Sequence, residues 1–277
     1  MATDGLSLVG FMEQQQAINY LRGACVVADD SDVALTQEWN LAKTQICPPA
    51  ANAGRPQIGD LPHQHQSYVD QLKQQPWLVA STNNQSLNWQ CKMVEIAPLL
   101  AFQFNVDSTR SAHHCQAISA SSGIDELLLI CLPQSLPNES AKVDLGANSV
   151  IFRAKCLNLR TQAAGKFGDF MGVHVSLSVP LAHVVRHNGL CYLHNGFHRA
   201  YGLMKSGVTH MPCIFRDVAS HDEVGIRSDG NTFSAQLLES TNPPTVGHFG
   251  QCAYKVSMRS FSRIIHVSWS EYTVLDD

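Results

Sequence analysis

The chain has 277 residues, enough for one large domain or two modest ones with a substantial core. A formal net charge of −4 leaves no global basic field to hold nucleic acid, and 44% hydrophobic residues set the chain apart from disordered sequences. No apolar run approaches the roughly 20 residues of a membrane helix, and Met1-Ala2-Thr3-Asp4-Gly5 opens no basic-then-apolar leader, so a cytoplasmic protein with no membrane segment is expected.

The first elements read as helical. Leu8, Phe11, Met12, Ile18 and Leu21 space an amphipathic helix over 8–28, with Gly23 near its end. A second helix starts at Ser31 or Asp32, either a good cap, and runs through Trp39 to about Ile46. Cys47 to Pro62 holds Pro48, Pro49, Gly54, Pro56, Gly59 and Pro62 and is a loop. A third helix covers about Gln64 to Gln75, striped by Tyr68, Val69 and Leu72 and stopped by Pro76. Residues 1–82 are therefore expected to be a helical N-terminal segment packed on the rest.

After Asn83-Asn84 the pattern turns to strands. Met93–Ile96, Leu99–Phe104, the apolar run Leu127–Leu132 and Ser149–Leu159 read as strands, and Gly165–Gly172 as a turn. Val173, Val175, Leu177 and Val179 alternate with polar residues. Val184-Val185 and Leu190–Leu193 flank Asn188-Gly189, the strongest short hairpin signal. A helix from about Phe197 to Ser206, closed by Gly207, leads to a returning strand at Met211–Phe215. Ile264–Trp269 is a late strand.

The stretch that carries chemistry is Asn195-Gly196-Phe197-His198-Arg199. A strand ends at a turn where Gly196 permits close backbone approach, and a helix begins at once, presenting free N–H groups and its positive end. Arg199 offers a planar fork of donors for phosphate oxygens; His198 and His194 offer a donor or a proton carrier. Together these make an anion site. Arg110 is a candidate second phosphate contact, with His113 and His114 beside it for proton transfer. The competing reading is structural: Gly196 shapes a corner and Arg199 pairs with a nearby carboxylate.

The pattern strand–Asn-Gly-x-His-Arg–helix–Gly–strand–Pro resembles the ParB/sulfiredoxin-like fold superfamily, over about Leu177 to Val218. The resemblance implies a mixed α+β fold (α/β) with a core of this type over 83–277, an insertion at about 107–172 and a C-terminal extension from about 219. It implies that the turn holds the phosphates of ATP, ADP or CTP, with magnesium, and an ATP- or CTP-dependent phosphotransferase or hydrolase. Asn195 stands where an Asp is common in the family, and Phe197 where sulfiredoxins carry a reactive Cys, which disfavours sulfinic acid reduction. A ParB-like nuclease or DNA-associated protein is the first alternative, though the net charge does not favour DNA. A non-catalytic protein-interaction module is the second.

Nine cysteines without a CxxC pair read as reduced, buried residues; Cys191 and Cys213 are expected in the core on adjacent strands. Thirteen histidines show no standard zinc spacing, so no metal ligands are assigned. Asp217, Asp222 and Glu223 read as a solvated acidic loop rather than a magnesium site.

Overall fold

The computed structural model describes residues 2–75, 78, 89–135, 141–154, 159–167, 170–177, 179–227 and 230–273. The structure is mixed α+β. In chain order the elements are β1 (Ala2–Ser7), α1 (Gln14–Ala24), α2 (Asp32–Thr44), β2 (Ile58–Asp60), α3 (Gln66–Lys73), β3 (Gln90–Glu95), β4 (Asn105–Asp107), α4 (Ser108–His114), α5 (Ile124–Cys131), β5 (Lys142–Leu145), β6 (Ser149–Ala154), β7 (Leu159–Phe167), β8 (Phe170–Leu177), β9 (His183–His187), β10 (Leu190–Asn195), α6 (Phe197–Lys205), β11 (His210–Asp217), α7 (His221–Val224), α8 (Ala235–Leu238), α9 (His248–Gln251), β12 (Tyr254–Arg259) and β13 (Arg263–Ser268). The chain divides into two units. One gathers Met1–Leu72, Ser86–Pro133 and Pro180–Ser260; the other gathers Lys73–Gln85, Gln134–Val179 and Phe261–Asp277.

The first unit is built on a five-stranded mixed sheet in the order β10-β9-β11-β3-β2. Asn188 (φ 49°) and Gly189 (φ 77°) both adopt the left-handed conformation, so the β9–β10 hairpin closes on a turn that matches strand twist. β11 pairs parallel with β9 and antiparallel with β3. Between β10 and β11, α6 buries Phe197, Ala200, Tyr201 and Leu203, the three- and four-residue spacing of one helix face. Its end is fastened by the Gly207 and Val208 amides, which donate to the carbonyls of Met204 and Leu203. A second sheet, β12-β1-β4, completes this unit.

The second unit carries a three-stranded sheet, β13-β6-β5, and the two-stranded β7–β8 ribbon. Ala154 and Leu159 are its buried centre, with Phe152, Val175, Leu177 and Ile265 packed against them.

Four sequence expectations need correction. Residues 1–82 are not purely helical: β1 pairs with β12 and β4, and β2 pairs with β3. Those partners lie far along the chain, so no local pattern marks the strands. Leu127–Leu132 is not a strand, because Leu127 to Cys131 form the end of α5. Leu127, Leu128 and Cys131 are buried while Leu129 is 64% exposed, a helical rather than alternating pattern. The Glu126 carboxylate accepts the Gly123 amide at 2.8 Å and starts that helix. Leu99–Phe104 forms no strand; Leu100 alone bridges to Tyr192 and Thr245. Cys191 and Cys213 are both buried, but β9 separates their strands. The expected stop at Pro76, and 155–158 of the expected strand, lie outside the described residues.

Candidate functional site

The turn has the geometry its residues require. Gly196 sits at φ 103°, ψ 20°, a left-handed conformation that L side chains rarely adopt. A Cβ there would stand 3.3 Å from the Ala182 Cα. Asn195 uses both ends of its amide: Oδ1 accepts the Gly196 N–H at 2.9 Å, and Nδ2 donates to the Leu181 carbonyl at 2.9 Å. An Asp could make the first bond and not the second, which gives the Asn a local reason. No side chain caps the start of α6. Phe197 is buried edge-to-face against Phe102, with ring centroids 5.7 Å apart.

Arg199 points into the protein. It is 5% exposed, and its Nη1 donates to the carbonyls of Ile130 at 3.1 Å and Cys131 at 3.2 Å. These are carbonyls at the C-terminal end of α5, where a cation is favoured. That nitrogen is thus committed to tying α5 to α6.

On the helix side of the turn, α4 comes very close to α6. A Cβ on Gly202 would lie 2.7 Å from Cys115 Sγ and 2.8 Å from the Ser111 carbonyl, so only glycine permits this approach. The approach sets His198 near Arg110 and His114. Burial first, then the Arg110 charge, hold His198 down to about 3; Asp107 opposes them, and His114 and Arg199 add to the lowering. The Asp107 carboxylate accepts the Arg110 amide at 2.9 Å and so starts α4. His113 is exposed.

On the sheet side lies a polar group that the sequence reading did not assemble. Register aligns Tyr192 with Val185 and Val185 with Arg216, so these stand side by side across three strands. His183 precedes Val185 by two residues and therefore shares its face. The His183 and His194 rings meet edge-on at 4.8 Å. His194 Nδ1 lies 2.8 Å from the Val224 carbonyl, so Nδ1 carries the proton and Nε2 holds the lone pair. Burial, followed by His194 and then Arg216, brings His183 down to about 3; burial likewise lowers His194. Three buried atoms here have no hydrogen-bond partner among the described residues: His183 Nε2, the Tyr192 hydroxyl and Arg216 Nε. Tyr192 itself is 0% exposed.

The residues singled out from sequence thus fall into separate roles. His194, Asn195 and Gly196 lie at the turn; His198, Arg110 and His114 converge behind α6; Arg199 is a brace; His113 is exposed, its ring 6.3 Å from that of His114. His183, Tyr192 and Arg216 had no sequence signal beyond the alternation of their strands. Asp217 is bound bidentately by Arg186, at 2.6 and 3.0 Å, and Glu223 caps α7 through the Ala219 amide. Among the described residues, the one group of three metal-ligating side chains is Cys47, His248 and Cys252.

No family model, no curated protein and no solved structure matches the chain. What fold and site define is a mixed α+β protein with a glycine-shaped strand-to-helix turn, flanked on one side by Arg110, His114 and His198 and on the other by buried polar atoms without hydrogen-bond partners among the described residues.

Proposed function

We propose that this protein binds a nucleotide or another phosphorylated small molecule beside the Asn195–Arg199 turn. The observation that supports this best is the set His183 Nε2, Tyr192 OH and Arg216 Nε, all buried and without a hydrogen-bond partner among the described residues. An arginine Nε is an obligatory donor, and a buried donor left unpaired costs about 1–3 kcal/mol or more. An oxygen-rich anion answers that requirement, and phosphate brings several acceptors at once. His194, with its proton on Nδ1 and its lone pair on Nε2, can take a hydrogen bond from a ligand or an attacking water there. Phosphotransfer or nucleotide hydrolysis with magnesium is the activity these parts would support, through positioning and charge stabilisation. The ParB/sulfiredoxin-like resemblance of the motif points the same way.

The test is thermal unfolding with ATP, ADP, CTP, GTP and inorganic phosphate, each with and without magnesium. A ligand at about 100 times its Kd adds roughly 2.7 kcal/mol. The shift is expected in the wild type and lost in Arg216→Met and His183→Gln. Equal shifts in wild type and both variants, or none with any ligand, would overturn the reading.

A further inference from the structure

We propose that Cys47, His248 and Cys252 form a site for a thiophilic divalent cation, with zinc as the ion this donor set fits. The donor atoms of the three side chains lie within 4.8 Å of one another. A tetrahedral zinc ion, with bonds of about 2.3 Å to sulfur and 2.0–2.1 Å to nitrogen, holds its ligands roughly 3.5–3.8 Å apart. Closure therefore asks for side-chain movements of about an ångström, within reach of rotamer adjustment. Two thiolates and an imidazole select zinc over magnesium or calcium, which prefer oxygen.

The local structure presents the ligands together. His248 opens α9 and Cys252 follows four residues later, with its amide donating to the His248 carbonyl at 3.0 Å. Residues at that spacing share a helix face. Cys47 arrives from the proline-rich loop after α2, 201 residues before His248. Its amide donates to Cys252 Sγ at 3.2 Å, the kind of outer contact that favours a thiolate. His248 is 1% exposed and its ring is held by neighbours. The Thr245 amide donates to Nδ1 at 2.8 Å, with Thr245 Oγ1 3.0 Å away, so without metal Nε2 carries the ring proton and donates to the Cys47 carbonyl at 3.2 Å. Ligation through Nε2 places the ring proton on Nδ1, where Thr245 Oγ1 accepts it. The Thr245 amide and Cys47 carbonyl contacts then give way. Gln251 Oε1, 3.6 Å from Cys47 Sγ, is at hand for the fourth position.

Binding is an exchange of protons for metal. Two thiol protons and no electrons leave, two sulfur–metal bonds and one nitrogen–metal bond form, and the two thiolates balance the dication. A cysteine gives up its thiol proton to become a ligand, so proton release on binding is a direct signature. The bound ion would staple the Cys47 loop to α9. That loop continues to Gly54, whose carbonyl accepts the Cys191 amide on β10.

The test uses the full chain. Zinc content is measured after purification, and the reduced, zinc-free protein is then titrated with Co²⁺. The expected result is one equivalent of metal, with a thiolate-to-cobalt charge-transfer band and the intense visible bands of tetrahedral cobalt. Cys47→Ser, on a half-buried loop position, should weaken cobalt binding at least tenfold and bleach the charge-transfer band in part; Cys252→Ser should do the same. Cys91→Ser should leave the spectrum unchanged. The proposal is overturned if reduced wild type shows no charge-transfer band. It is also overturned if the band survives Cys47→Ser at full strength, or if the pair forms a disulfide in air while the reduced form takes up no metal.

Discussion

Arg199 separates a brace from a ligand-binding group, and Arg199→Met distinguishes them without any ligand present. The substitution keeps an apolar stem and removes the guanidinium. Two hydrogen bonds from a charged donor are lost, to Ile130 O and Cys131 O. Bonds to charged groups contribute about 1.5–3 kcal/mol each. The Cys131 carbonyl retains a second partner, the Ala182 amide at 2.7 Å. The cost expected is therefore near the value of one to two such bonds, about 3 kcal/mol. Urea unfolding followed by helical circular dichroism reports on it, since α1, α2, α5 and α6 all belong to the first unit. With a slope of about 2 kcal/mol per molar, the midpoint falls by roughly 1.5 M. Arg199→Lys, which keeps the charge and loses the fork, should fall between the two. An unchanged midpoint for Arg199→Met, with lost nucleotide binding, would refute the brace and restore the fork as a ligand group.

Gly202→Ala should cost about 1–3 kcal/mol, because the new Cβ meets Ser111 O and Cys115 Sγ. It should also raise the His198 titration midpoint, followed by NMR, as α4 is pushed away and burial is relieved. Asn195→Asp should cost about 1–2 kcal/mol in urea unfolding above pH 6, because the bond to Leu181 O becomes a carboxylate facing a carbonyl. Acid dependence follows from His183 and His198, both brought down to about 3 in the folded protein, chiefly by burial. The unfolded chain takes up those protons near pH 6.5, so the stabilisation is full above that value and declines as pH falls towards 3. Each histidine adds a slope of about 1.4 kcal/mol per pH unit in that window. Urea midpoints at pH 5.5 and 4.5 should show the fall, and His198→Gln should remove one histidine's share.

Much of the strand–helix–strand unit was legible in sequence because its information is local. Asn188-Gly189 and Gly196 mark positions of positive φ, and Gly207 closes α6, so both ends of that helix and the hairpin could be placed. The spacing of Ala200, Tyr201 and Leu203 marked the buried face, although Met204, expected beside them, is only half-buried and Phe197 takes its place in the core. Leu127–Leu132 shows where local information ends: an apolar run that short suits a buried strand or a helix, and the Gly123–Glu126 cap with burial of Leu128 decided for the helix. β1 and β2 needed partners that sequence does not display. The tertiary structure alone decided the candidate sites. Gly202 lets α4 approach α6 and so brings Arg110 and His114 to His198, a contact across nearly 90 residues of chain. Register across β9, β10 and β11 put Tyr192, His183 and Arg216 on one face. The turn's arginine, a phosphate fork by residue type, became a brace because α5 ends beside it with carbonyls to satisfy. Residue type and local spacing specify what a side chain can offer; which neighbour takes up the offer depends on long-range packing.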